Sequence, residues 1–203
     1  MSEVKIVRFV RHAKPEKALD FLGRYDLAVD FDANQLLFNQ LIDDPMPIEA
    51  IYASPLARCG VLAQAVHQHT QAPLYYLDGL QERDWGEWDG CCRHQVAPDA
   101  LAAYYADPFN YVIAAAEPWN QMRERVQQAW LSLLQSEASH ILCVTHGGVM
   151  RLLCQQFLGL SDHTLFQLGI GYGAQITWRV SVTPTTPFVE LISWQSGALY
   201  DAV

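Results

Sequence analysis

Short apolar runs that are typical of buried strands alternate along this chain with stretches of helical pattern, and this alternation constrains the fold more than any other feature. The first apolar run covers residues 4–10, and comparable runs follow at 50–53, 74–77 and 140–145. Strands that alternate with helices in this way predict a mostly parallel sheet with helices on both faces. We therefore expect an α/β protein with three α/β/α layers around one central sheet.

The segments between and after these runs complete the predicted order of elements. Asp32 is a candidate cap for a helix that reaches about residue 43, and Pro118 suits the first turn of a helix that reaches about residue 134. Two last strands are expected to pair antiparallel at one edge of the sheet. The remaining helices are predicted over 56–69, 99–105 and 147–158, and the last strands over 174–182 and 188–194.

The length of the chain indicates a single domain. With 203 residues, of which 51% are hydrophobic, the chain can form one α/β domain with a sizeable core. No segment has the composition of a linker, so we expect one domain over residues 1–203. Residues 79–137 are harder to assign to strands or helices. We expect this segment to be an insertion that lies over the carboxyl edge of the sheet as a lid.

The charge and the cysteines limit the partners and the compartment. The formal net charge of −9 argues against a nucleic-acid partner, although a local group of arginines can still bind a small anion. The first residues have no signal-peptide pattern, and no apolar stretch is long enough to cross a membrane. Five cysteines without a CxxC pair argue against a zinc site and favour reduced thiols. We expect a cytoplasmic protein that does not contact membranes.

Two arginines and two histidines lie at or just after predicted strand ends. Arg11 and His12 follow the first strand, Arg58 lies at the start of the helix after the second, and His146 follows the fourth. Because the carboxyl ends of parallel strands gather at one edge of a sheet, we expect these side chains to meet. Guanidinium groups fit phosphate oxygens, and imidazole is a nucleophile near neutral pH. The N–H groups of the helix N-terminus at Gly147 add hydrogen-bond donors for an anion. Together these residues predict phosphoryl chemistry.

The chain resembles the histidine phosphatase superfamily, also called the phosphoglycerate-mutase-like family. The resemblance is carried, in the family's order, by Arg11-His12, Ser54-Pro55-Leu56-Ala57-Arg58, the stretch 80–90 that contains Glu82, and Thr145-His146-Gly147-Gly148. It extends from the first strand to about residue 158. It implies the phosphoglycerate mutase-like fold and the hydrolysis of phosphomonoesters with neither a metal nor another cofactor.

The resemblance also implies a role for each matching residue. His12 is expected to be the nucleophile that becomes a phosphohistidine. Arg11, Arg58 and His146 are expected to form the phosphate pocket, together with Gly147.

An acid is expected on the other side of the phosphoryl group. By resemblance, Glu82 protonates the leaving alkoxide and later takes a proton from water. Asp84 and Glu87 lie close in sequence and remain alternative acids. Ala18 stands where mutases of the family often have a phosphate-binding Asn, which weakens a mutase assignment.

The expected substrate depends on a finer similarity within the family. The length of the chain and its segments Gly23-Arg24-Tyr25-Asp26 and 85–90 are similar to those of bacterial α-ribazole-5′-phosphate phosphatases of cobalamin biosynthesis. This similarity adds Arg24 to the expected substrate-binding residues. The alternatives are a broad small-molecule or sugar phosphatase, a phosphohistidine protein phosphatase, and a phosphate-binding module without catalysis. A small phosphorylated substrate is the expected partner, and a homodimer is allowed for.

Overall fold

The structure is a computed structural model that describes residues 3–183 and 186–197. The ends of the expected domain over 1–203 and loop residues 184–185 lie outside the described residues. Its strands are β1 (Glu3–Arg11), β2 (Ala50–Ala53), β3 (Leu74–Tyr76), β4 (His140–Thr145), β5 (Gln175–Val182) and β6 (Phe188–Gln195). Its α-helices are α1 (Phe31–Asp43), α2 (Ala57–Thr70), α3 (Pro98–Ala106), α4 (Trp119–Leu134) and α5 (Gly147–Leu158). Short 3-10 helices lie at Asp78–Leu80, Gly86–Trp88, Arg93–Gln95 and Asp162–Gln167.

The described strands form one mixed sheet in the order β3-β2-β4-β1-β5-β6. The pairs β2–β3, β2–β4 and β1–β4 are parallel, whereas β5 runs antiparallel to both β1 and β6. The predicted fold class is therefore confirmed, including the antiparallel pair at one edge. The parallel half of the sheet brings the carboxyl ends of β1, β2 and β4 side by side.

Helices cover both faces of this sheet. On one face α4 and α5 pack with Trp130 and Met150 against Phe9 of β1. On the other face α1 and α2 pack with Leu41 and Leu62 against Ile51 of β2. Because each fully buried side chain of this size stabilises the fold by roughly 1.5–3 kcal/mol, these two clusters hold the strand ends in place. Among the described residues no helix has the length and apolar character needed to cross a membrane.

Two helix starts differ from the predictions. The N-cap of α1 is Asp30 rather than Asp32, and its Oδ1 accepts a hydrogen bond from Ala33 N at 2.8 Å. The prediction was wrong because a cap must lie outside the helix to reach the free amides of the first turn, and Asp32 lies inside it. Pro118 has an extended backbone, with ψ at 145°, and immediately precedes α4 instead of lying in its first turn.

The segment 79–137 divides into two parts. Its second part contains α4, whose Met122, Val126 and Trp130 are buried in the main core. Its first part holds α3 and short 3-10 helices around a separate small cluster that includes Phe21 and Tyr104. The expectation of a lid does not hold for α4, because α4 belongs to the helical layer of the sheet. A lid formed by the residues before α4 stays a prediction.

Candidate active site

The carboxyl edge of the sheet brings together Arg11, His12, Arg58 and His146, as the strand order predicts. Arg11 pairs in register with Thr145 of β4, and His12 N donates to the Thr145 carbonyl at 3.0 Å. The two histidines therefore follow directly paired residues, and their ring centroids lie 5.1 Å apart. All four side chains are buried. Since a phosphate dianion needs several fixed donors around it, this group has the composition of a phosphate site.

His12 is held as a neutral imidazole with one tautomer. Its Nδ1 lies 2.7 Å from the Ala13 carbonyl. A carbonyl oxygen can only accept, so Nδ1 carries the proton and Nε2 keeps its lone pair. Burial lowers the pKa of His12 well below 6.5, and the charges of Arg11 and Arg58 lower it further. Nε2 is therefore free to act as a nucleophile at neutral pH and below.

His146 is fixed by Ser54, which precedes α2, and by Cys59 in the first turn of α2. Its Nε2 lies 2.8 Å from Ser54 Oγ, and the Cys59 thiol lies 3.5 Å from the same nitrogen. Burial is the largest cause that lowers the pKa of His146, followed by the charge of Arg58. The ring is thus neutral without an anion, and a bound phosphate would favour its protonated, donating form.

Arg58 joins the phosphate site to the loop around residue 24. Its Nη1 donates to the Tyr25 carbonyl at 3.0 Å and its Nη2 to the Gly23 carbonyl. Its Nε is buried and has no hydrogen-bond partner among residues 3–183 and 186–197. A buried N–H without an acceptor is unfavourable, so Arg58 is ready to bind an anion.

Arg11 is oriented by the connection that precedes β5. Its Nη1 donates to the Ile170 carbonyl at 2.7 Å, and its guanidinium lies 4.0 Å from the ring centroid of Tyr172. A β-carbon at Gly147 would come within 3.3 Å of Arg11 Nε, so glycine lets the start of α5 approach this cation closely.

Glu82 docks at the N-terminus of α5. Its Oε2 accepts from Gly148 N at 2.9 Å, and its Oε1 accepts from Arg83 N at 3.0 Å. Of the three candidate acids, Glu82 is the one that lines the cavity beside Arg11. Asp84 instead accepts from Gly86 N at 2.8 Å, within its own turn. The geometry therefore favours Glu82 as the acid.

Arg125 of α4 holds the backbone that carries Glu82. Its Nη1 donates to the carbonyls of Gly79 at 3.0 Å and Gln81 at 2.6 Å, and its Nη2 donates to the Glu82 carbonyl at 3.1 Å. The buried Glu117 carboxylate accepts from the same guanidinium, at 2.7 Å from Nη2. One side chain thus satisfies three carbonyls and fixes the position of Glu82.

A cavity of about 110 Å³ opens beside Glu82. Its cationic lining consists of Arg11, Arg83 and Arg151, and its aromatic walls are Trp85, Trp119, Phe166 and Tyr172. Because it begins at the proposed acid, it is where a leaving group would lie. Within residues 3–183 and 186–197, no three His, Cys, Asp or Glu side chains are grouped in a way that could hold a metal ion.

Arg24, unlike Arg11, Glu82 and Gly147, does not line this cavity. Its guanidinium lies 3.6 Å from Glu117 Oε1 and 3.8 Å from Asp84 Oδ2, on the outer side of the segment that carries Glu82. It is the backbone of its neighbours Gly23 and Tyr25 that contacts the site, through Arg58. Its role in substrate binding stays a prediction without support from this geometry.

The cavity residues that were missed in the sequence include Arg83, Arg151 and Tyr172. Two of them had a usable signal, since Arg83 directly follows Glu82 and Arg151 lies one helical turn after Gly147 on the same face of α5. Tyr172 lies in the connection before β5, and nothing in its local sequence predicts that it would stack on Arg11.

Comparisons with known proteins agree with this geometry. The model of the histidine phosphatase superfamily (branch 1) matches residues 7–195. A plant protein from Arabidopsis thaliana, named probable 2-carboxy-D-arabinitol-1-phosphatase, is 24% identical over 123 residues, which cover 59% of this chain and 25% of that protein. The match therefore spans about a quarter of the length of this curated relative.

The names of solved structures with the same fold indicate different substrates. The α-ribazole phosphatase of Shigella flexneri has a TM-score of 0.76 at 20% identity, over 92% of this chain and 95% of that chain. A mycobacterial glucosyl-3-phosphoglycerate phosphatase has a TM-score of 0.78 at 18% identity, over 95% and 99% of the two chains. At such identities the likeness shows the fold alone, whereas the family model covers nearly the whole chain. The chain therefore belongs to the histidine phosphatase superfamily, branch 1.

Proposed function

We propose that this protein is a phosphomonoesterase that acts through a phosphohistidine on His12. One observation carries the proposal: Nδ1 of His12 lies 2.7 Å from the Ala13 carbonyl oxygen and donates its proton to it, so Nε2 presents its lone pair to a site built from Arg11, Arg58 and His146. A neutral imidazole among fixed cations suits attack on a phosphoryl group, because the cations stabilise the charge of the transition state.

In the first step Nε2 of His12 attacks phosphorus. The N–P bond forms while the bond from phosphorus to the ester oxygen breaks, and Glu82 transfers its proton to that oxygen. The alcohol leaves into the cavity, and the phosphoryl group stays on His12. Arg58 Nε, which has no acceptor among the residues that the structure describes, would bind a phosphoryl oxygen.

In the second step a water molecule attacks the phosphohistidine. Glu82, now ionised, takes a proton from the water, and the N–P bond breaks to release inorganic phosphate. The electron pair returns to Nε2, and the low pKa of His12 keeps it neutral for the next cycle. Glu82 is thus the acid in the first displacement and the base in the second. These two displacements replace one harder hydrolysis.

The size of the cavity bears on the substrate. α-Ribazole 5′-phosphate has support from the name of the Shigella neighbour and from the indole walls of Trp85 and Trp119. A volume of about 110 Å³ next to Glu82 favours the second candidate, a phosphatase of smaller esters, because it holds a leaving group of only a few heavy atoms. A cytoplasmic location and a homodimer stay predictions from the sequence.

The test is turnover and trapping of the phosphoenzyme. The intact protein should hydrolyse p-nitrophenyl phosphate in the presence of a chelator, and rapid quenching with labelled ester should give an acid-labile, alkali-stable label on His12. His12→Ala should lose both the label and at least about 10³-fold in rate, since the nucleophile is removed.

A matched histidine variant controls for nonspecific effects. His163→Ala alters an exposed histidine away from the site and should retain turnover and label. An alkali-labile label on another residue would reject the mechanism. No turnover by the intact protein would instead support a phosphate-binding module without catalysis.

A further inference from the structure

Among the residues that the structure describes, two adjacent cysteines are the accessible thiols, and the proposed reaction uses neither of them. Cys91 and Cys92 are partly exposed, whereas Cys59, Cys143 and Cys154 are buried. Burial raises the pKa of both Cys59 and Cys154 to about 12, so these two thiols stay protonated and unreactive. A reaction that needs an accessible thiolate is therefore directed to Cys91 and Cys92.

The two cysteines lie in a seam between two loops, defined here as the contact of residues 18–24 with residues 87–93. Phe21 N donates to the Cys91 carbonyl at 3.1 Å, and Gly90 N donates to the Phe21 carbonyl at 2.8 Å. The main chain of Cys91 therefore helps to hold the seam closed.

The seam supports one cation of the phosphate site. The Asp89 carboxylate accepts from Gly23 N at 2.8 Å and from Arg24 N at 2.7 Å. The carbonyls of Gly23 and Tyr25 in turn accept from the Arg58 guanidinium. The same loop also forms part of the cavity wall. A change in the seam would therefore reach the phosphate site through Arg58.

The side chains of the two cysteines are directed to different partners. Cys91 forms an antiparallel bridge with Phe21, and Cys92 has an extended backbone with φ at −87° and ψ at 154°. Neighbouring side chains of an extended chain lie on opposite sides of it. In agreement, the Cys92 sulfur lies 3.7 Å from the Ala18 carbonyl oxygen, whereas the Cys91 sulfur lies 3.9 Å from that of Glu87. Since a disulfide brings its two β-carbons to about 4 Å, the backbone of this pair must turn before the sulfurs can bond.

We propose that Cys91 and Cys92 form a reversible redox switch, in which a disulfide between them opens the seam and weakens phosphate binding at the active site. The proposal rests on the phosphatase function above. The oxidant is a low-molecular-weight disulfide. One cysteine thiolate attacks a sulfur of this disulfide and releases a first thiol, and the second thiolate then attacks the mixed disulfide and releases the other. The two thiol protons pass to the released thiolates, and the oxidant takes up both electrons.

The short distance between neighbouring residues makes this disulfide reversible. Across a trans peptide bond the α-carbons are about 3.8 Å apart, whereas a disulfide usually joins α-carbons separated by roughly 4.4–6.8 Å. The strained bond is easily reduced, as a regulatory disulfide must be. Because the disulfide and the closed seam exclude each other, an anion bound at Arg58 should in turn favour the reduced pair.

Oxidised glutathione tests the proposal on the intact protein. The treatment should remove two hydrogen atoms from the protein mass without adding glutathione, with the loss located in the peptide that contains Cys91 and Cys92. The oxidised protein should lose at least about tenfold in kcat/KM for p-nitrophenyl phosphate, because the carbonyls that hold Arg58 are displaced. Dithiothreitol should restore the rate. In calorimetry, inorganic phosphate should bind the oxidised protein at least about fivefold more weakly than the reduced protein.

The double variant Cys91→Ser, Cys92→Ser is the matched control, because it keeps the shape of both side chains but cannot form the bond. It should keep the rate of the reduced protein after the same treatment. Equal inactivation of this variant would overturn the proposal by assigning the effect to another group. A stable mixed disulfide with glutathione would also overturn it, as would a disulfide that leaves both the rate and phosphate binding unaltered.

Failure of the phosphatase function is distinguishable from failure of the switch. A reduced protein that does not hydrolyse p-nitrophenyl phosphate would reject the function, whereas the mass and the phosphate affinity would still decide whether the disulfide forms and reaches the site. If the double variant does not fold, recovery of the rate and of the original mass with dithiothreitol in the intact protein decides instead.

Discussion

Gly148 shows how closely the proposed acid is fitted to the start of α5. A β-carbon at this position would overlap the Glu82 carboxylate, which accepts from Gly148 N at 2.9 Å. Gly148→Ala should therefore displace Glu82 and lower kcat for alkyl phosphates by about 10–10³-fold, because a misplaced acid no longer protonates the alkoxide. The loss should be smaller for p-nitrophenyl phosphate, whose leaving group needs little protonation. Steady-state rates on the two esters measure it.

Gly60 of α2 provides a matched helix position for the same substitution. A β-carbon there would lie 3.6 Å from Tyr76 Oη, an ordinary contact. Gly60→Ala should keep its activity on both esters and gain up to about 1 kcal/mol in free energy of unfolding, from helix propensity. Equal loss of activity on both esters in Gly148→Ala would contradict the displaced-acid explanation.

At the scale of elements, α4 positions Glu82 through one side chain. Arg125 donates to the carbonyls of residues 79, 81 and 82 and to the Glu117 carboxylate. Arg125→Met keeps the apolar stem but leaves these acceptors unsatisfied, and we expect it to lower the free energy of unfolding by about 2–4 kcal/mol. Urea denaturation checks this value.

A positioning role for Arg125 predicts more than lost stability. In folded Arg125→Met, the rate on alkyl phosphates should fall more than the rate on aryl phosphates, because Glu82 is no longer fixed. Arg123→Met, on the exposed side of the same helix, should change stability by at most about 1 kcal/mol and leave the ratio of the two rates unaltered. A uniform fall on both ester classes would assign Arg125 a structural role alone.

At the scale of the whole molecule, the buried histidines make stability depend on pH. Burial lowers the pKa values of His12 and His146 well below 6.5. Below about pH 6.5 the unfolded chain therefore binds more protons at these positions than the folded chain, and folding stability falls as the pH falls. Above about pH 6.5 both the folded and the unfolded chain keep these histidines neutral, and the stability that is lost at lower pH is fully present.

Urea unfolding at pH 7.5 and 5.5 measures this effect. The free energy of unfolding should decrease by about 1–3 kcal/mol between the two values, since each histidine that stays neutral contributes at most about 1.4 kcal/mol per pH unit. The double variant His12→Gln, His146→Gln should have a smaller dependence on pH over this interval. An identical dependence in both proteins would show that other groups cause it.

The sheet and most of the site follow from local patterns in the chain. Apolar runs at β1, β2 and β4 predict parallel strands, and parallel strands bring their carboxyl ends together whatever the details of packing. The meeting of Arg11, His12, Arg58 and His146 was therefore predictable. The cap of α1 was not, because Asp30 and Asp32 are equally good caps and only the exact start of the helix distinguishes them.

The sequence by itself determined the parallel sheet and the residues that gather at its edge, because periodicity and strand order are local and topological properties. Only the tertiary structure decided which side chains have partners. It directs Arg24 to Glu117 and Asp84 and leaves Arg83 between two indoles in the cavity. Both are arginines near the same motif, and their different environments come from contacts between segments far apart in the chain. The order of the strands thus determines the phosphate site, whereas packing between distant segments determines the leaving-group site.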